Sequence, residues 1–249
     1  MLPEKISAFV KGRPYTVDSV GCSGSEVRIY EDMVLKIEPR SEAVGRQVQL
    51  LRWLEGKLPV PKVLCFEEAE GRLYLLMSRI EGEMSCSEYY EEHAAELLRL
   101  TAEAFRMLWS VDITDCPADR SLDAELAELD KRELPEIDLP GFQDAAELLR
   151  WLKENKPAMD PVFSHGDPCM PNIFFADGKV SGFIDLGDAG IADRYRDIAI
   201  CLGSLRRNMG GFYGGKVYED FDPKELFRYL GIEPDHEKLR YYTLLNELY

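Results

Sequence analysis

The chain has 249 residues, 45% of them hydrophobic and 31% charged, which suits one globular unit or two lobes around a sizeable core. No stretch approaches the roughly 18 unbroken apolar residues of a membrane span, and MLPEKISAFVKG lacks the apolar run and cleavage site of a secretory signal, so the cytoplasm is the expected compartment. A net charge of −16 argues against a nucleic-acid binder, which needs a basic footprint; it admits a small polycationic partner, although plain solubility accounts for it more simply.

In chain order, Tyr15–Ser19 and Glu26–Tyr30 read as strands around a small-residue turn, and Met33–Ile37 as a short apolar strand. Ser41 caps a predicted helix that runs to about Glu55, with Val44, Val48 and Leu51 on one face. Leu58-Pro-Val-Pro-Lys62 breaks it. Strands are predicted at Val63–Glu67 and Leu73–Ser78. After Glu81-Gly82 the pattern turns helical: Glu88 to about Val111, Leu122–Asp130, Asp144–Lys153, and again from about Asp197, with a hairpin over Asn172–Asp185. A strand-rich lobe over residues 1–79 and a helix-rich lobe over 80–249 make a two-lobed α+β architecture. The six cysteines are scattered, form no C-x-x-C pair and read as reduced structural thiols.

The chemistry concentrates in VFSHGDPCMPNIFFADGKVSGFIDLGDAGIADRYRD. Asn172 lies five residues beyond Asp167 of His165-Gly166-Asp167, and Asp185-Leu186-Gly187 follows, which matches the kinase catalytic loop and its metal-binding segment. A two-residue turn at Asp177-Gly178 predicts Asn172 opposite Phe183 and Asp185 on the same face. Diagonal neighbours about 7–8 Å apart then offer two oxygen ligands to a hard cation, for which Mg²⁺ is suited. Asp167 stands beside them as the base for an attacking hydroxyl. His165 reads as a packing residue, and Asp197 as a cap and brace of the loop. Cys169 has no neighbouring base in sequence and is not expected to act as a nucleophile.

A second element lies near the N-terminus. Gly21-Cys22-Ser23-Gly24-Ser25 is a small-residue turn whose backbone can approach phosphate, though most such turns are only turns. Lys36 sits on an apolar strand, in the position of a lysine that pairs with nucleotide phosphates.

On these residues the chain resembles the aminoglycoside phosphotransferases, and through Ala192-Asp193-Arg194-Tyr195-Arg196-Asp197 and Leu244-Leu-Asn-Glu-Leu-Tyr249 more narrowly the 3′-phosphotransferases. The resemblance implies a protein-kinase-like fold and ATP-dependent phosphorylation of an aminoglycoside at the 3′-hydroxyl, conferring resistance. It implies Asp167 as catalytic base and Asn172 and Asp185 as Mg²⁺ ligands. Ser23 and Lys36 would hold the phosphates, and the backbone of Ser78 and Ile80 would bind adenine. Glu247 and the carboxylate of Tyr249, with Glu136 and Asp138, would receive the substrate's ammonium groups. A monomer or homodimer is expected.

Three departures from the family stand out. Gln47 occupies the place of the glutamate that anchors the lysine, which implies a weaker hold on Lys36 unless its amide reaches the ammonium. Val34 replaces an adenine-stacking aromatic found in some relatives, so adenine would rest on aliphatic side chains and GTP is an alternative nucleotide. The acidic segment Glu133–Asp144 is short. The rival readings are a kinase of the same fold acting on another amino-alcohol or sugar, and a nucleotide-binding regulatory pseudokinase; a protein kinase lacks support without an A-P-E segment.

Overall fold

The computed structural model describes residues 2–17 and 25–249. Ser23 and the rest of the proposed phosphate turn up to Gly24 lie outside the described residues.

An antiparallel sheet in the order β1-β2-β3-β5-β4 forms the first lobe: β1 Thr16–Val17, β2 Glu26–Ile29, β3 Met33–Pro39, β4 Val63–Ala69 and β5 Arg72–Ser78. All five residues from Leu73 to Met77 are buried, so both faces of β5 are covered. One face packs with α1 (Glu4–Val10), whose Ile6 and Val10 join Leu35, Ile37 and Leu76. The α1 helix has no counterpart in the sequence reading. The other face meets α2 (Glu42–Leu54) through Val48, Leu51 and Leu54, which pack in one core with Leu75 and Met77. The Ser41 hydroxyl accepts from the Val44 amide at 3.5 Å, the predicted N-cap.

Helix α2 is also fastened to the second lobe. Trp53 Nε1 and Lys57 Nζ both donate to Asp115, at 3.1 and 3.2 Å, and Trp53 packs on Phe163 with ring centroids 5.5 Å apart. A short strand β6 (Glu83–Met84) follows the sheet and pairs with the hairpin predicted over Asn172–Asp185.

The predicted helix over Glu88–Val111 is two helices, α3 (Glu88–Glu92) and α4 (Ala94–Trp109). They part at His93, whose ring Nδ1 contacts the Tyr89 carbonyl at 2.6 Å and stacks on the Tyr89 ring. This is a local side-chain competition of the kind that ends helices. Leu97, Leu100, Phe105 and Leu108 make α4 the centre of the helical lobe. Around it lie α5 (Leu122–Leu129), α6 (Ala145–Glu154), α7 (Arg194–Met209), α8 (Leu226–Leu230) and α9 (His236–Asn246). No helix among the described residues is long and apolar enough to cross a membrane.

The hairpin is β8 (Ile173–Ala176) with β9 (Lys179–Phe183). Near the turn its register is the predicted one, Ala176↔Lys179 and Phe175↔Val180. A shift between Phe174 and Phe175 then puts Ile173 opposite Phe183, and Asn172 meets Ile184, whose amide donates to the Asn172 carbonyl at 3.0 Å. The predicted Asn172–Phe183 pairing is thus displaced by one residue. The bulge residue Ser181 is drawn out of the ladder, its hydroxyl donating to the Glu81 carbonyl at 2.7 Å.

A two-stranded ladder absent from the sequence reading, β7 (Pro161–Ser164) with β10 (Gly190–Asp193), clamps the base of this region. Ser164 pairs with Gly190, so the loop that carries Asp167 leaves one strand where the segment after Asp185 enters the other.

Candidate active site

Three residues at the end of β7 must turn sharply to present Asp167. Gly166 adopts φ +87°, and a Cβ there would stand 2.1 Å from the Asp188 carbonyl oxygen; only glycine fits. The loop is then held by a buried carboxylate. Asp197, fully buried on α7, accepts from the Ser164 hydroxyl (2.7 Å) and from the amides of His165 (2.7 Å) and Gly166 (3.0 Å). The predicted brace is therefore present, but the N-cap of α7 is Asp193, which accepts from the Tyr195 amide. Its neighbour Arg196 donates to the Gly166 carbonyl at 2.6 Å and lies doubly on Glu125 of α5. Burial would lower the Arg196 pKa, and the Glu125 carboxylate more than reverses it.

His165 is fully buried, and its Nδ1 accepts from the Asp167 amide at 3.4 Å. Burial pushes its pKa down against the pull of Asp197 and Asp167, which keeps the ring neutral and in a packing role. Burial and the adjacent Asp167 push the Cys169 thiol up to about 12. It is protonated at neutral pH and is not a nucleophile.

Asn172 points its amide at Asp167, donating to the backbone oxygen at 3.0 Å and to Oδ2 at 3.1 Å. Its Oδ1 remains available to a cation. Asp185 sits in the left-handed region (φ +57°), a conformation that costs energy for a non-glycine residue and is common where side chains are aimed. Its carboxylate meets Lys36 Nζ across the lobes at 3.2 Å. Burial would lower the Lys36 pKa, but Asp185 and Glu38 together raise it, so the ammonium stays charged. An amide oxygen and a carboxylate suit a hard cation that completes its shell with water and phosphate oxygens. Among the described residues there is no cluster of three or more His, Cys, Asp or Glu to hold a metal without a substrate.

Two cavities flank this cluster. One of about 240 Å³ lies between the sheet and the hairpin, lined by Val27, Ile29, Val34, Lys36, Gln47, Met77, Ile80, Phe174, Ile184 and Asp185. Its walls are mainly aliphatic, as Val34 implied, and Phe174 adds an aromatic that sequence reasoning missed. Ser78 uses its amide on the Lys62 carbonyl (2.9 Å) and its hydroxyl on the Lys62 amide (2.9 Å). The Ile80 amide has no protein partner among the described residues. Gln47 is 3% exposed and lines the cavity, yet makes no hydrogen bond with Lys36. The ammonium lies instead on Glu38, at 3.3 Å. The amide of Gln47 thus does not reach the ammonium, the condition under which the sequence implied a weaker hold from position 47.

The other cavity, about 420 Å³, opens on Asp167 and is lined by Cys169, Asp188, Arg206, Arg207, Glu247 and Tyr249, with Arg120, Arg132 and Arg196. Glu247 and Tyr249 therefore stand with Asp167, while Glu136 and Asp138 are exposed on the α5–α6 connection and do not line it. Net acidity did not foretell these five arginines. Arg120 is paired with Glu128 and Asp188, Arg132 with Glu128 and Arg196 with Glu125. Arg206 and Arg207 have no ion-pair partner among the described residues.

The profile of the phosphotransferase enzyme family matches residues 15–242. The aminoglycoside 3′-phosphotransferase of Enterococcus faecalis is 46% identical over 216 residues, 83% of this chain and 79% of that protein. That of Niallia circulans is 35% identical over an alignment of 261 residues, covering 99% and 97%. Among solved structures, an aminoglycoside phosphotransferase of Streptomyces rimosus in complex with ADP and streptomycin superposes with a TM-score of 0.76 at 23% identity, over 98% of this chain and 95% of that one; the two share the protein-kinase-like fold.

Proposed function

The chain belongs to the phosphotransferase enzyme family, and from that premise we propose that it transfers the γ-phosphoryl group of ATP to the 3′-hydroxyl of an aminoglycoside, the reaction its relatives are named for. The observation that carries this reading is the convergence of Asp167, Asn172, Asp185 and Lys36 between two cavities, one lined by Asp167 and the other by Lys36, Asn172 and Asp185. One cavity suits a flat base and the other a larger polar acceptor. On this reading residues 1–79 form most of the nucleotide site and residues 80–249 carry the catalytic and acceptor groups.

Asp167 receives the acceptor hydroxyl and takes its proton as the oxygen bonds to the γ-phosphorus and the bond to the departing ADP breaks. Asn172 holds the Asp167 carboxylate in place, and the braced loop keeps the base from swinging away. Lys36 sets an ammonium against the nucleotide phosphates. Asn172 and Asp185 are the residues that would hold Mg²⁺, whose charge neutralises the phosphate oxygens when bound. Catalysis of this kind is mostly positioning and charge compensation. In the acceptor cavity Glu247 and Tyr249 favour ammonium groups placed near them, and Arg206 and Arg207 disfavour ammonium groups placed near theirs. That selects substrates by where their amines lie rather than by how many they carry.

The test is incubation of the purified protein with ATP, Mg²⁺ and kanamycin or neomycin. A mass gain of one phosphoryl group, assigned by NMR to the 3′-oxygen, is expected. No turnover of either compound defeats the reading, and phosphate at another oxygen corrects its regiochemistry.

A further inference from the structure

Within 4 Å of Lys36 Nζ, among the described residues, stand two carboxylates with different prospects. Asp185 lines the nucleotide cavity and is half exposed. It is also a proposed metal ligand, so a cation bound there competes with Lys36 for its oxygens, and nucleotide phosphates compete with it for the ammonium. Glu38 lies two residues beyond Lys36 on β3 and therefore shares its face. It does not line the cavity. Both side chains of this second pair are largely shielded, 13% and 16% exposed, unlike a surface ion pair that solvent renders nearly worthless.

Glu38 is itself held. The Ser25 hydroxyl donates to Glu38 Oε1 at 2.7 Å, and the same oxygen faces Lys36. Ser25 immediately precedes β2. One carboxylate oxygen thus joins the lysine to that residue, while Gln47, uncharged and buried, makes no hydrogen bond with the ammonium.

We propose that Glu38 is the positioning residue for Lys36, holding its ammonium group at the phosphate end of the nucleotide cavity in the role that a carboxylate at position 47 would otherwise fill. The inference rests on the nucleotide reading above. Glu38 does not line the cavity, so an occupant need not displace it from Lys36. Its negative charge holds the ammonium on the face of β3 that the two side chains share.

The experiment measures binding of ADP and of adenosine to the unaltered protein, to Glu38→Gln and to Glu38→Gln/Gln47→Glu, with thermal midpoints for each. Glutamine keeps an acceptor for Ser25 but removes the charge. The expected result is an ADP Kd raised about tenfold in Glu38→Gln, the size of losing one charge-assisted contact. Adenosine, which has no phosphates, binds it unchanged, and the second substitution recovers most of the ADP affinity. In turnover, KM for ATP rises while KM for kanamycin does not. Equal losses for ADP and adenosine reduce Glu38 to a structural residue and overturn the proposal. So does unchanged ADP binding, or tighter binding, which would mean that Glu38 only repels phosphates. Failure of the unaltered protein to bind ADP overturns the nucleotide reading itself, and this inference with it.

Discussion

Asn172 donates to Asp167 twice, once to its backbone oxygen at 3.0 Å and once to its carboxylate at 3.1 Å. The side chain proposed to hold the metal thereby also fixes the side chain proposed to take the proton. Asp167→Asn should lower kcat by about 10²–10⁴-fold, the contribution of a general base, with an unchanged thermal midpoint. Asn172→Ala should cost about 10² or more through misplacement of the base alone. Steady-state kinetics at saturating ATP and kanamycin check both. An Asn172→Ala enzyme with kcat within twofold of the unaltered one would separate the two residues.

The Arg196–Glu125 pair has side chains only 7% and 2% exposed. Removing one member strands a buried charge, at a cost of about 3–5 kcal/mol. Arg196→Met should therefore shift the urea midpoint strongly downward. Arg196→Met/Glu125→Leu should recover much of the loss, because the desolvated charge goes with it. Because Arg196 also grips the Gly166 carbonyl, kcat should remain depressed in the double variant even when stability returns.

His165 supplies a pH dependence with a definite sign. Its pKa is lowered in the folded protein, while the unfolded chain titrates near the ordinary value of about 6.5. Between the two values the unfolded state binds more protons, so stability rises with pH through that window. The contribution is complete above about pH 6.5 and is lost as pH falls toward the folded value. Urea unfolding measured from pH 5 to 7.5 should show a steeper fall on acidification in the unaltered protein than in His165→Gln. Parallel curves would mean that the ring charges without cost.

Arg206 and Arg207, without an ion-pair partner among the described residues, add positive charge to the cavity that opens on Asp167. Arg206→Ser and Arg207→Ser should each lower KM for kanamycin by about two- to fivefold at low salt, and less at 0.5 M salt, where the Debye length shrinks. Glu247→Gln should move KM in the opposite direction. KM values measured at two ionic strengths decide it; a raised KM in the arginine variants would assign them a direct role in holding substrate.

Much of the site was legible because it rests on local pattern. The spacing of Asp167, Asn172 and Asp185, the lysine on an apolar strand, and the turn at Asp177-Gly178 need no knowledge of the fold. The hairpin register failed by one residue because Ser181 answers to the Glu81 carbonyl, a hundred positions away in sequence. The β7–β10 ladder was missed because each strand is only four residues long and has no periodicity to read.

By itself the sequence determined the reaction class and the two-lobed, protein-kinase-like architecture, and it proposed Asp167, Asn172, Asp185 and Lys36 as the central charged and polar groups, since each follows from residue type and short-range spacing. Which carboxylate serves Lys36 was decided only by the tertiary structure. Counting along the chain pointed to position 47, whereas the strand's two-residue repeat puts Glu38 beside the ammonium and the fold brings Asp185 to it from the other lobe. The same holds for the arginines of the acceptor cavity. Net charge sums over the whole surface, but a ligand meets only the side chains that folding gathers around it.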